Sequence, residues 1–234
     1  MALTTKLSTE ECLFIKEGIS NDVRADGRSK NCYREIKIKS DLIGYLYSSA
    51  KVMIGKTKVI GSAYLRVGEP THYSPEKGMI NINVNSLNKN RKKIDKYQEI
   101  SSVLQSSFTC QSYQNLEMLC ITKGQKCWVV NIDVLVIDDS GNIYDAAGLA
   151  VYTVLEKLRI PNVNVTEVDG FEEIEIDEDL SRACCMDMTL FPIIVTAYVI
   201  DDQHIYDTTS SEEVCSSLRI IFGFRPTDQQ FTFI

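Results

Sequence analysis

The sequence predicts an α+β protein with mixed sheets and packed helices. Strand-like stretches occur early and late, at Tyr33–Lys39, Thr57–Val67, Cys127–Ile137 and Leu190–Ile200. Between them, Asp145–Arg159 carries one helical stripe of Ala146, Leu149, Ala150, Val154, Leu155 and Leu158, stopped by Pro161. Strands both precede and alternate with helices, which places the two kinds in shared layers.

The 234 residues suit one large domain or two small ones, and 44% hydrophobic with 24% charged residues excludes disorder, collagen and coiled coil for the bulk of the chain. With 25 basic and 32 acidic residues the net charge is −7, which argues against a general nucleic-acid binder but leaves room for a local basic patch. No apolar run reaches membrane-spanning length. Met1–Glu11 lacks a basic stretch followed by an apolar one, so no signal peptide and no membrane partner are expected.

Ser8 and Glu11 form a capping box that opens a short helix, with Gly18 as its expected end. Asp22–Arg28 reads as a charged turn. Ala50–Ile54 and Thr57–Val67 form a hairpin through Gly55-Lys56, and Met79–Val84 is a further strand. Asn88–Lys96 reads as a basic loop. Tyr97–Phe108 has Ile100, Val103, Leu104 and Phe108 on one helical face. Leu116–Thr122 and Cys127–Ile137 read as strands joined at Lys123-Gly124, and Asp138–Asn142 as a turn. The acidic stretch Glu172–Asp179 suggests a linker or an exposed connection between subdomains. Thr209–Leu218 reads as a helix with Ser210 and Glu213 as its box, and Arg219–Phe224 as the final strand.

The eight cysteines, at 12, 32, 110, 120, 127, 184, 185 and 215, include no C-x-x-C pair, so they read as reduced, buried small hydrophobes. His72 and His204 have no ligand partner nearby in sequence. No metal and no cofactor is expected. Trp128, at the head of an apolar strand, reads as core. His72 and Tyr73 read as a surface loop.

Several ordered motifs carry a resemblance. They are Asp22-x-Arg24-x-Asp26-Gly27-Arg28, Gly61-Ser62-Ala63, Trp128-x-x-x-Ile132-Asp133-Val134 and Gly141-Asn142-x-x-Asp145-Ala146-Ala147. Later come Ile160-Pro161, Pro192-Ile193-x-Val195-Thr196 and Asp207-Thr208-x-x-x-Glu212-Glu213. Together they resemble the RNase PH family, and within it the ring subunits of the RNA exosome. The likeness covers nearly the whole chain. It implies the RNase PH fold of two similar β-α halves: an N-terminal helix and charged turn over 1–30, a first domain over 31–170 and a second over 185–234. Family chains usually continue into a long C-terminal helix, whose absence is expected to leave an apolar sheet face uncovered.

The resemblance also implies partners: other RNase PH-like subunits in a hetero-hexameric ring, RNA-binding cap subunits, and single-stranded RNA passing through the complex. The implied location is the nucleus, including the nucleolus, and the cytoplasm. Phosphorolysis would require an orthophosphate cradle, arginines on the RNA phosphates and a carboxylate near the scissile bond. The arginine positions of active members correspond to Ser102 and Ser106, and their Asp-Gly-Gly-Thr-Arg motif to Asp139-Ser140-Gly141-Asn142-Ile143. Their late acidic pair falls on Glu212-Glu213, and a further acid falls near Arg219. Glu213 is thus a vestigial catalytic candidate on a chain expected to be inactive. The alternatives are an active phosphate-dependent 3′-to-5′ exoribonuclease and a stand-alone RNA-binding module.

Two charged segments remain. Asp22, Arg24, Asp26 and Arg28 could touch phosphates, but interspersed acids favour pairing among themselves or with a neighbour. Lys89, Arg91, Lys92, Lys93 and Lys96 form the densest basic cluster, weighed between an RNA contact and a solvated loop.

Overall fold

The computed structural model describes residues 7–42, 44, 47–87, 91–109, 116–168, 171–177, 179–227 and 229–233. Helix α1 (Thr9–Ser20) starts at the predicted capping box: Glu11 N–H donates to the Ser8 hydroxyl at 3.2 Å, and Ser8 N–H to the Glu11 carboxylate at 2.8 Å. It runs past Gly18 to a cap at Asn21, because Gly18 serves another purpose: the chain folds back there and Val23 N–H reaches its carbonyl at 2.9 Å.

Strand β1 (Ile36–Ser40) starts later than the alternation suggested, since Tyr33 and Arg34 turn away to bond Asp145 and Asp207. β2 (Ser48–Ile54) and β3 (Thr57–Gly68) form the predicted hairpin, in which Gly55 takes the φ of +56° that its two-residue turn demands. β4 (Met79–Ser86) follows.

Over 91–96, helix α2 (Arg91–Thr109) corrects the sequence reading of 88–96 as a loop, and 88–90 lie outside the described residues. Arg and Lys are good helix formers, and a basic run by itself does not break a helix. Ser101 Oγ donates to Ile82 O at 2.7 Å, Gln105 Nε2 donates to Ile80 O at 2.6 Å, and Ile82 N–H donates back to Gln105 Oε1 at 2.7 Å. These bonds occupy backbone groups of edge strand β4 that would otherwise offer themselves to another chain.

The expected strand over 116–122 is half a 3-10 turn (Glu117–Leu119) and half a short strand, β5 (Cys120–Thr122). β6 (Lys126–Asp138) pairs antiparallel with β3 and β5 and parallel with β4, giving a mixed six-stranded sheet of order β1-β2-β3-β6-β4 with β5 alongside β6. Helix α3 (Ile143–Lys157) follows, with eleven buried residues. It packs against β2 and β3 on one side and against a strand of the second sheet on the other. Both approaches need small residues: a Cβ on Gly61 would meet Val154 and Ala150, and one on Gly148 would meet Ile194.

β7 (Arg159–Ile160) leads to a hairpin of β8 (Val163–Val168) and β9 (Phe171–Ile176). The acidic stretch is therefore regular strand as far as Ile176, where the sequence reading expected a break in the pattern. Val163 opposes Ile176 and Val165 opposes Ile174, with Glu175 at an intervening position. Alternation within Phe171–Ile176 was the signal, and its acidity obscured it. Glu178 lies outside the described residues.

β10 (Cys184–Cys185) pairs with β7. β11 (Ile193–Ile200) starts after a 3-10 turn at Met188–Leu190 capped by Asp187. β12 (Gln203–Tyr206) precedes helix α4 (Ser210–Cys215), whose box is Thr209 with Glu212, one residue earlier than expected. β13 (Leu218–Arg225) is not the last strand, because β14 (Gln230–Phe233) pairs with it. The second sheet has the order β12-β11-β13-β14.

Trp128 is core, as read. The cysteines are only partly so: Cys127 is buried, but Cys32, Cys184 and Cys185 are exposed, the last two because the β7–β10 ribbon lies at the surface, and Cys110 lies outside the described residues. Leu218, Ile220 and Phe231 lie exposed on β13 and β14. Among the described residues no helix is long and apolar enough to cross a membrane.

Candidate functional site

The turn from β6 into α3 places Asn142 at the centre of the site. Asn142 caps α3 in the left-handed region (φ 55°, ψ 48°), which asparagine tolerates better than most residues. Gly141 before it has φ +94°, and a Cβ there would meet Thr208 O at 2.4 Å and Ser210 N at 2.6 Å. The turn thus lies directly against the start of α4.

Asn142 serves three carboxylates. Its backbone N–H donates to Glu213 Oε1 at 2.7 Å, and its side-chain amide donates to Asp145 Oδ2 and Asp207 Oδ1 at 2.9 Å each. Three environments result.

Asp207 is neutralised. Arg34 Nη2 lies 2.7 Å from Oδ1, Arg28 Nη1 lies 3.0 Å from Oδ2, and Arg34 N–H donates to Oδ2 at 2.7 Å. Burial pushes its pKa up, but the Arg34 bonds outweigh burial and hold it below the ordinary carboxylate value.

Asp145 is wholly buried and, among the described residues, is bonded to no cation. Tyr33 donates its hydroxyl to Oδ2 at 2.6 Å. Burial exceeds the help of Tyr33 and Asn142 and pushes its pKa up to about 6. Burial, with Asp145 beside it, raises the Tyr33 phenol in turn.

Glu213 lies at the mouth of the site. It accepts the Tyr198 hydroxyl at 3.2 Å and faces Lys96 Nζ at 3.5 Å, which is also 3.5 Å from Asp139. Burial works against the Lys96 charge, but Glu213 and Asp139 prevail and raise its pKa. Nearby, Arg219 pairs with Glu99 and stacks over Tyr144, with Cζ 4.5 Å from the ring centroid.

Beneath the site, Arg24 forms a two-pronged pair with Glu212, at 2.8 Å from Nε to Oε1 and 2.5 Å from Nη2 to Oε2, and both side chains are almost fully buried. Arg24 Nη2 also donates to Asp207 O at 2.7 Å. The arginines of the charged turn are therefore paired within the chain, Arg28 with Asp26 of the same turn, but Arg24 with Glu212 and Arg28 with Asp207 far along the sequence, which the expected pairing among themselves or with a neighbour did not include.

This arrangement has chemical consequences. A helix N-terminus is a ready anion site, and here a side-chain carboxylate already holds the capping N–H of α3. The cations beside it, Lys96 and Arg219, already face carboxylates. The residues do not fit a divalent metal, because Lys96 Nζ stands between Asp139 and Glu213. Among the described residues no group of three or more His, Cys, Asp or Glu is placed to hold one.

Of the residues named from sequence, Glu213 and Lys96 meet in this site. Arg91, Lys92 and Lys93 begin α2, and Lys89 lies outside the described residues. Ser102 and Ser106 turn their hydroxyls back to the carbonyls of Gln98 and Ser102, at 3.0 and 2.9 Å. Tyr73 is fully exposed. Sequence reasoning gave no site role to Tyr33, Arg34, Asp145, Asp207, Tyr144 or Tyr198. Asp145 and Asp207 stood in the quoted motifs, and their position beside turns was the available signal.

Two family matches cover most of the chain. Residues 32–161 match domain 1 of the 3′ exoribonuclease family and residues 191–233 match domain 2. The chain belongs to this family, that of RNase PH. Within it, the chain is similar to archaeal proteins named exosome complex component Rrp42. One, from Thermococcus gammatolerans, is 32% identical over 213 residues, covering 88% of this chain and 75% of the relative. Another, from Methanothermobacter thermautotrophicus, is 30% identical over 215 residues, covering 89% and 77%. The rrp43 exosome component of Schizosaccharomyces pombe is 26% identical over 225 residues, covering 91% and 78%. In fold, the chain matches a subunit of the Archaeoglobus fulgidus exosome solved with RNA bound to the active site. That match has a TM-score of 0.75 at 21% identity, over 94% of this chain and 84% of that one. The RNase PH fold expected from the motifs is thus the fold observed.

Proposed function

We propose that this chain is a ring subunit of an RNA exosome and has no phosphorolytic site of its own. The relatives named exosome components support the ring assignment. With it come the expected partners: other RNase PH-like subunits, RNA-binding cap subunits, and single-stranded RNA passing through the complex. A nuclear and cytoplasmic location follows from the same reading, as does a division into domains at 31–170 and 185–234.

The observation that carries the inactive assignment is the Glu213 carboxylate on the Asn142 N–H, 2.7 Å away at the start of α3. An incoming phosphate would have to displace a tethered anion from the position where backbone donors favour negative charge. The two cations beside that position among the described residues, Lys96 and Arg219, are already paired within the chain. Basic residues of α2 (Arg91, Lys92 and Lys93, with Lys89 before the helix) remain the proposed RNA contact, acting on phosphates without chemistry. Lys96 is committed to Glu213 and Asp139.

The test is release of nucleoside diphosphates from labelled single-stranded RNA by the purified chain, with phosphate and magnesium or manganese. We expect no release, and incorporation into a defined complex when the chain is co-expressed with RNase PH-like partners. Phosphate-dependent release by the chain alone would overturn the inactive assignment. Failure to assemble with any such partner would overturn the ring assignment.

A further inference from the structure

Helix α1 presents apolar side chains to solvent: Leu13 is 53% and Phe14 69% exposed. Phe14 stands between two hollows of about 710 and 340 Å³ that share Phe14, Ile15 and Ala25 in their walls. The larger opens toward Leu7 and Thr209, and the smaller toward Val23.

The rim is acidic. Glu10 and Glu11 border the larger hollow and Glu17 the smaller, and none of the three is in an ion pair among the described residues. The one cation in either wall, Arg24, is buried and committed to Glu212. The surface is thus a pair of apolar sockets bordered by unbalanced negative charge.

We propose that this surface docks a short peptide segment of another protein, one carrying two apolar side chains flanked by Lys or Arg. Each hollow seats one apolar anchor on either side of Phe14, and buried anchors dominate affinity at such sites. The carboxylates favour a basic flank and reject an acidic one. The same charge argues against two other occupants: RNA would be repelled, and a second copy of α1 would bring the same acids. This proposal does not rest on the ring assignment.

The experiment selects peptides from a displayed random library on the full chain and on Phe14→Asp, with Phe14→Ala as a milder variant that leaves α1 intact. Enriched peptides are expected to pair two apolar residues with Lys or Arg. A synthesised winner should bind at least tenfold more weakly to Phe14→Asp and Phe14→Ala, and should lose most of its salt dependence with Glu10→Gln/Glu17→Gln. The proposal is overturned if no peptide is enriched over the Phe14→Asp chain, if the enriched peptides lack basic residues, or if the chain self-associates through Phe14 instead.

Discussion

Glu213 accepts the backbone N–H of Asn142 at 2.7 Å, so a residue of helix α4 holds the cap residue of α3, the helix packed between the two sheets. The two parts of the chain are joined at the N-terminus of α3, an end of a helix that favours negative charge. The Asn142 side chain continues the junction by holding Asp145 and Asp207 at 2.9 Å each.

Replacing Asn142 should separate its two tasks. Asn142→Ala loses both side-chain bonds and puts alanine, which tolerates the left-handed region less well than asparagine, at φ 55°, at a cost of roughly 2–4 kcal/mol. Asn142→Gly loses the bonds but keeps the backbone comfortable, and should cost less. Urea denaturation of the two variants gives the order, and equal losses would mean that the backbone conformation does not matter.

Arg24 and Glu212 are buried together, so removing one strands the other. Arg24→Met alone should cost roughly 3–5 kcal/mol, and Arg24→Met/Glu212→Leu should recover part of that loss. Recovery is incomplete because Arg24 also bonds the carbonyls of Tyr206 and Asp207. Thermal midpoints of the single and double variants measure the coupling.

Asp145 makes stability depend on pH. Its pKa rises from an ordinary 3.8 to about 6 on folding, so the folded state favours the protonated form. That contribution is fully present below the ordinary value and is lost as pH climbs through about 6, a swing of a few kcal/mol. Asp207, held below its ordinary value, has the opposite sign: its contribution is present above that value and lost as pH falls. Asp145→Asn should flatten the decline between pH 4 and 6 and leave the chain more stable than wild type at neutral pH. Denaturant midpoints across that range decide it; an unchanged slope would assign the pH dependence elsewhere.

Gly141→Ala should be among the most damaging small substitutions, because a Cβ would fall 2.4 Å from Thr208 O at a backbone φ of +94°. Gly27→Ala, at φ +81° with nothing within 4 Å, is the control for conformation alone and should cost about 1 kcal/mol. Comparing their thermal midpoints separates collision from torsion.

Much of this was legible in the sequence. The α3 stripe, the Gly55-Lys56 hairpin and the Ser8–Glu11 box are local patterns, and local physics decides them. Where charge density hid periodicity, the reading failed: the basic run became the first turn of α2, and the acidic stretch became strand β9. The site was half visible. Glu213 stood out as a carboxylate, but its partners Asn142, Lys96 and Tyr198 come from three other elements or turns. The Arg24–Glu212 pair spans 188 residues, a separation that no spacing rule reaches.

The central claim, that Glu213 occupies the anion position at the start of α3, is tested most directly by titrating orthophosphate into the ¹⁵N-labelled full chain and following the Asn142 amide. This resonance is expected to stay fixed in wild type and to shift on replacing Glu213 with Gln, without phosphate. A saturable phosphate-dependent shift of Asn142 in wild type would contradict it, showing that the carboxylate yields its place to the ligand.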